Sequence, residues 1–168
     1  MSSNPLILVV DDEKPMADKI AEIIKMTNRY NVITAYGAHE AIDLIDNNKR
    51  FLGLTDNKIK CIILDLKMPE MDGLQFLKRL RHTEAWFKLM PVIVLTAFED
   101  EEKLQVTTNP VIGNVAAYLK KPFKKEELID TIDRIFHDEI GHMIDETREK
   151  KYKRLDELEA EKKKSQGQ

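Results

Sequence analysis

The stretch CIILDLKMPEMDG, Cys61 to Gly73, runs four apolar residues straight into an aspartate and then into a turn rich in Met, Pro, Asp and Gly. A continuous apolar run containing β-branched residues and closed by turn signals reads as a strand buried on both faces, the kind found in parallel sheets. Asp65 ends that run. A carboxylate at the edge of a core is costly unless it is paired or bound to a metal. The strand therefore predicts a partner for Asp65.

Similar runs lie on either side. LILVV (Leu6–Val10), VITAY (Val32–Tyr36), VIVLT (Val92–Thr96) and VAAYL (Val115–Leu119) complete a series of strands, the second of them the weakest. Between them the apolar residues recur at helical spacing: Met16, Ile20, Ile23 and Ile24; Ala41, Ile42 and Ile45; Leu74, Leu77 and Leu80. Leu128, Ile129, Ile132, Ile135 and Phe136 form one more stripe after the last strand. Pro15 suits the first turn of a helix, and Asp72 suits an N-cap. Strands alternating with helices imply right-handed crossovers and an α/β fold with a doubly wound parallel sheet.

Composition narrows the possibilities further. At 168 residues and 42% hydrophobic, the chain can fill one core and carry an appendage. A formal net charge of −3, with scattered basic residues, argues against nucleic acid or a membrane surface as partner. No apolar run reaches membrane-spanning length, and MSSNPLILVV lacks the pattern of a signal peptide, so the expected location is cytoplasmic. Cys61, the single cysteine, reads as a small core residue. The histidines make no metal site: His137 and His142 are five apart, wrong for one helical face, and both are expected to face solvent.

Ligands of open parallel sheets bind at the carboxyl ends of the strands, where the strand order reverses. The first strand delivers Asp11 and Asp12 there, the third Asp65, the fourth Thr96, and the last Lys120, Lys121 and Pro122. Each alone is a weak signal. An Asp-Asp pair after a strand is commonly a turn or a cap, and threonine ends many buried strands. Together they place three acids, a hydroxyl and an ammonium on one edge.

VVDDE, ILDLKMPEMDG, VIVLTA and YLKKPF, in that order, resemble the receiver domain of bacterial two-component response regulators, over Pro5 to Asp138. The resemblance implies a (βα)5 fold of flavodoxin-like strand order 2-1-3-4-5. It implies that Asp65 accepts a phosphoryl group from a histidine kinase or a histidine phosphotransfer protein. Mg²⁺ is implied as the cofactor, with Asp12 and Asp65 as direct ligands, Asp11 acting through water, and the Lys67 carbonyl completing the set. Such a cation also answers the repulsion among three acids, which otherwise raises at least one pKa. Lys121 would pair with Asp65 and then with the phosphoryl oxygens, Pro122 implying a cis peptide, while Lys120 is expected in solvent. By the same resemblance the Thr96 hydroxyl bonds the phosphoryl group, and Tyr118 turns from exposed to buried, switching the binding of a downstream effector protein. Ala97 leaves access to the acyl phosphate, and Lys67 and Phe98 stand where the family tunes its lifetime. The protein would catalyse only its own phosphorylation and dephosphorylation.

Two alternatives are a haloacid-dehalogenase-type phosphohydrolase and a receiver-like scaffold that takes no phosphate. The first wants a second acid two residues after the nucleophile, where this chain has Lys67. Against the second, all the chemical positions are filled.

Some segments depart from the family pattern. Asn47–Ile59 is long for a link between helix and strand and reads as a surface loop. In Glu102–Asn114, Thr107, Thr108 and Asn109 before Pro110 predict an early stop to the fourth helix. That unsettles the family's usual dimer arrangement, and a monomer is expected. Residues 1–138 read as the phosphoreceiver domain and 139–168 as a charged helical extension, with no signature of an output domain in it. Ile140, Ile144, Tyr152 and Leu155 continue the stripe of Ile132 and Phe136, so the last helix is expected to run on. It is expected to protrude, mostly solvated, supported by Glu146–Lys150, Glu149–Lys153 and Glu159–Lys163 pairs, weakened at Gly141, and to fray toward KKKSQGQ.

Overall fold

The computed structural model describes residues 4–48, 57–83, 90–96, 115–137 and 139–166. Strands β1 (Leu6–Val10), β2 (Asn31–Ala35), β3 (Ile59–Asp65), β4 (Val92–Thr96) and β5 (Ala117–Lys120) form one parallel sheet in the order β2-β1-β3-β4-β5. Helices α1 (Lys14–Lys25), α2 (Ala38–Asn47), α3 (Gly73–Thr83), α4 (Lys125–Phe136) and α5 (Ile140–Gln166) complete the described elements. This is the flavodoxin-like doubly wound order expected from the sequence. None of the helices, among the described residues, is long and apolar enough to cross a membrane.

Successive strand residues point to opposite faces, and here both faces are covered. Leu8, Val10, Ile62, Leu64, Val92 and Val94 pack with Ala41 and Ile45 of α2 and with Phe76, Leu77 and Leu80 of α3. On the other face Ile7, Val9, Ile63, Ile93 and Leu95 pack with Ile20 and Ile24 of α1 and with Leu128, Ile132 and Ile135 of α4. That double cover is why the central strands show no polar alternation.

The register slips between Leu6 and Ile7, which pair with Ile59 and Cys61. Lys60 is the extra, exposed residue of this bulge. Ile59 and Cys61 consequently lie on opposite faces although they are two apart. β3 thus begins earlier than its apolar run. At the sheet edges, β2 stops at Ala35, one residue before the expected Tyr36, and β5 starts at Ala117 rather than Val115. The Ala116 N–H nonetheless already donates to the Val92 carbonyl at 2.9 Å.

The expected N-cap of α3 is a reciprocal pair. Gln75 N–H donates to Asp72 Oδ1 at 2.8 Å, and Asp72 N–H donates to Gln75 Oε1 at 3.1 Å. Two donors that the helix itself leaves unpaired are satisfied together. Pro15 lies in the first turn of α1, as expected.

The link from α2 to β3 is tied where its described ends meet. Lys58 N–H donates to the Asn48 carbonyl at 3.0 Å, and Asn57 Nδ2 to the Ile45 carbonyl at 2.8 Å. The rest of that loop lies outside the described residues. So do Ala97, Phe98 and the whole of Glu102–Asn114, with its expected early helix stop at Pro110.

The chain after Phe136 corrects one expectation. The last receiver helix does not run on: α4 ends at Phe136, and a second helix begins at Ile140. Glu139 N–H bonds back to the Arg134 carbonyl at 3.2 Å, and the Glu139 carbonyl accepts the Met143 N–H at 2.9 Å, starting the new helix. The break turns Met143, which lies off the apolar stripe, into the core beside Leu128 and Ile132, where it is 2% exposed. The Thr147 hydroxyl donates to the Ala116 carbonyl at 3.0 Å. Arg134, not Lys150, takes the Glu146 carboxylate, at 3.0 and 3.2 Å. Beyond this root the expected solvation holds, with Tyr152 50% exposed. His137 and His142 are exposed too.

The extension therefore contributes to the core. Truncation after Asp138 should lower stability by about 2 kcal/mol, the value of burying one large apolar side chain. A fall in the urea midpoint checks this. An unchanged midpoint would mean that the root adds nothing.

Candidate functional site

Three strand ends meet at one edge of the sheet. Asp11 follows β1, with its N–H donating to the Ala35 carbonyl at 3.2 Å, and its side chain is fully buried. Its Oδ1 accepts the Glu13 N–H at 2.9 Å. Asp65, 5% exposed, ends β3, and its Oδ2 accepts the Lys67 N–H at 2.9 Å. Lys121 Nζ lies between the two acids, 2.9 Å from Asp11 Oδ2 and 2.8 Å from Asp65 Oδ1. This is the partner that the strand end of Asp65 called for.

β5 aims that lysine. The Lys121 N–H donates to the Thr96 carbonyl at 3.0 Å, and the Lys121–Pro122 peptide is cis, as expected. Lys120 is exposed. Thr96 ends β4 opposite Lys120, half-buried, while Tyr118 lies level with Val94 and packs, half-buried, on the α3 side of the sheet.

The turn after Asp65 is held just as closely. Leu66 N–H donates to the Leu95 carbonyl at 3.4 Å, and Gly73 N–H to the Leu66 carbonyl at 3.0 Å. A Cβ on Gly73 would lie 2.4 Å from the Asp65 carbonyl oxygen and 2.8 Å from Leu66 Cα. Only glycine lets α3 start this close to the end of β3. The turn also holds Glu70 at a φ of 63°.

Carboxylate oxygens of Asp11, Asp12 and Asp65 lie within 4.8 Å of one another, with Asp12 half-buried at the mouth. Burial raises the Asp65 pKa above the usual carboxylate range. Lys121 and the Lys67 amide pull against that rise, and the Asp11 charge adds to it. Burial also acts to lower the Lys121 pKa, but the two carboxylates beside it outweigh that and raise it. So the expected shift falls on Asp65, with desolvation ahead of acid–acid repulsion as its cause.

Three carboxylates against one ammonium leave the cluster net negative. An all-oxygen donor set of that charge suits a hard divalent cation such as Mg²⁺. The structure thus gathers Asp11, Asp12, Asp65 and Lys121, and ties Thr96 to Lys121 through the backbone. Three features were not read in advance: the Asp11–Lys121 pair, the Lys67 amide on Asp65, and the tight fit of Gly73. The Asp72-Gly73 dipeptide immediately before Leu74 was the available signal for the last.

A sequence model described as the response regulator receiver domain matches residues 7–133. Transcriptional regulatory protein CpxR of Escherichia coli (strain K12) is 33% identical over 132 residues, 77% of this chain and 48% of that protein. Response regulator MprA of Mycobacterium sp. (strain KMS) is 32% identical over 123 residues, 73% of this chain and 46% of that protein. The chain spans about half the length of these curated relatives. Among solved structures, the chemotaxis protein CheY4 of Vibrio cholerae superimposes with a TM-score of 0.64 at 28% identity, covering 79% of this chain and 99% of that one. The Francisella response regulator 1452 receiver domain gives 0.62 at 30% identity, covering 80% and 98%.

Proposed function

The chain belongs to the response regulator receiver family, and on that premise we propose that Asp65 accepts a phosphoryl group from a histidine kinase or a histidine phosphotransfer protein. The observation that carries this reading is Lys121 Nζ, seated within 2.9 Å of both Asp11 and Asp65 at the edge where three strands end. In the transfer, an Asp65 carboxylate oxygen forms a bond to phosphorus. The phosphorus–nitrogen bond of the donor phosphohistidine breaks, and its electron pair returns to the imidazole. In dephosphorylation a water oxygen bonds to phosphorus, the phosphorus–oxygen bond to Asp65 breaks with its electron pair returning to the carboxylate, and inorganic phosphate leaves.

Phosphoryl transfer asks a protein mainly for positioning and charge neutralisation. The Lys67 amide and Lys121 orient the Asp65 carboxylate, and Lys121 then turns to the phosphoryl oxygens. Asp12 and Asp65 would hold Mg²⁺ directly, Asp11 through water, and the Lys67 carbonyl would add a ligand. Bound there, Mg²⁺ supplies charge neutralisation for the phosphoryl oxygens.

Incubation with acetyl phosphate, read by intact mass, tests the reading. One phosphoryl adduct that needs Mg²⁺ and disappears with EDTA is expected. Steady turnover of generic phosphoesters would instead favour a hydrolase, and no adduct at all a scaffold.

The output is proposed to be contact with a downstream effector protein, switched through Thr96 and Tyr118. Beryllofluoride, a phosphoryl mimic, should shift the Tyr118 ring resonances in NMR and fail to do so in Thr96→Ala. Identical ring shifts with and without the mimic in the wild type would rule this switch out.

A further inference from the structure

The root of α5 takes no part in the chemistry at Asp65, yet it is fastened to the strand that delivers Lys121. Thr147 Oγ1 holds the Ala116 carbonyl at 3.0 Å, and Lys121 follows five residues later, bridging Asp11 and Asp65. Among the described residues β5 is an edge strand, hydrogen-bonded only to β4. An edge strand is constrained from one side and is the easiest to displace.

Among the described residues, the rest of the fastening comprises the buried Met143, the partly buried Ile140 packed on the same core, and the half-exposed Arg134, which reaches Glu139 at 2.7 Å and Glu146 at 3.0 Å. Between β5, α4 and α5 lies a cavity of about 220 Å³, lined by Tyr118, Leu119, Thr131, Met143, Thr147 and Lys150. The pocket opens to solvent where Tyr118 borders it, so water reaches the joint and can solvate its polar contacts as they part. Past the root, Arg148, Glu149 and Lys150 are exposed, so among these residues the hold on the helix lies in its first turns.

We propose that the root of α5 is a latch on the β5 edge, closed when Asp65 is unmodified and released when Asp65 is phosphorylated. This rests on Asp65 being the phosphoacceptor. Lys121 shifts from two carboxylates to an added phosphoryl group, and β5 moves with it. The Ala116 carbonyl then leaves the narrow range in which Thr147 can hold it. Packed interfaces have two arrangements rather than a continuum. Linkage makes the effect reciprocal: whatever loosens the latch must favour the modified state by the same factor.

The test uses the full chain with beryllofluoride and Mg²⁺, following hydrogen exchange of the amides from Met143 to Lys150. Exchange about tenfold faster than in the unliganded chain is the expected result, within the usual range of such couplings. Unchanged or slower exchange, while fluorine NMR shows the mimic bound, overturns the latch and leaves the phosphoacceptor reading intact. A mimic that does not bind at all overturns both. As an independent arm, Thr147→Val and Met143→Ala should each bind beryllofluoride about fivefold more tightly than the wild type. Wild-type affinity in both variants contradicts the coupling.

Discussion

Asp65→Asn is expected to take up no phosphoryl group from acetyl phosphate under conditions in which the wild type is labelled. The loss should be complete rather than partial, because an amide oxygen is no nucleophile toward phosphorus while the carboxylate is. The neighbouring Asp11 is poorly placed to substitute. Asp11 is fully buried, with its Oδ1 engaged by the Glu13 amide and its Oδ2 by Lys121. The variant should also fold, which makes the negative result informative. Asn can still accept the Lys67 N–H, and Lys121 keeps Asp11 at 2.9 Å. Burial of the Asp65 charge, the main reason its pKa is raised, is relieved. Intact mass and circular dichroism on the same sample check both halves. Stoichiometric labelling of a folded Asp65→Asn protein would move the acceptor elsewhere.

The second large effect lies in the turn beyond. Gly73→Ala places a methyl group 2.4 Å from the Asp65 carbonyl oxygen and 2.8 Å from Leu66 Cα. Both are backbone atoms, so no side chain can swing aside. Either α3 backs away from the sheet, loosening Leu74 and Leu77 in the core, or the end of β3 moves. Overpacking of this kind costs about 3 kcal/mol. Urea denaturation should show that loss. Labelling should slow as well, because one of the crowded atoms belongs to Asp65, the proposed acceptor. Wild-type stability and labelling in Gly73→Ala would mean the turn has room that the structure denies it.

How far the sequence was legible depended on where each element sits. β1 and β4 match their apolar runs residue for residue, because strands covered on both faces must be apolar throughout. The edge strands β2 and β5 were misplaced by one or two residues, since an edge carries weaker patterning. The bulge at Lys60 follows from pairing with β1, which no local pattern records. At the C-terminus, Ile140 and Ile144 kept helical phase with Ile132 and Phe136, so periodicity ran straight across a break. What breaks the helix is tertiary: Arg134 gathers Glu139 and Glu146, and Met143 finds a seat against α4. The meeting of Asp11, Asp12, Asp65 and Lys121 was more legible, because strand ends in this topology converge whatever the helices do. Their internal pairing was not. That Lys121 bridges Asp11 as well as Asp65 depends on how deep Asp11 sits, and depth is set by the packed sheet.

The most direct measurement is to locate the phosphoryl group itself. An acyl phosphate is reduced by borohydride, which converts the modified aspartate to homoserine, and peptide mass spectrometry then finds the residue. Wild-type protein treated with acetyl phosphate and Mg²⁺ should yield homoserine at position 65 and at no other aspartate. Homoserine at position 11 or 12, or a phosphoryl adduct that borohydride leaves unchanged, would contradict Asp65 as the phosphoacceptor.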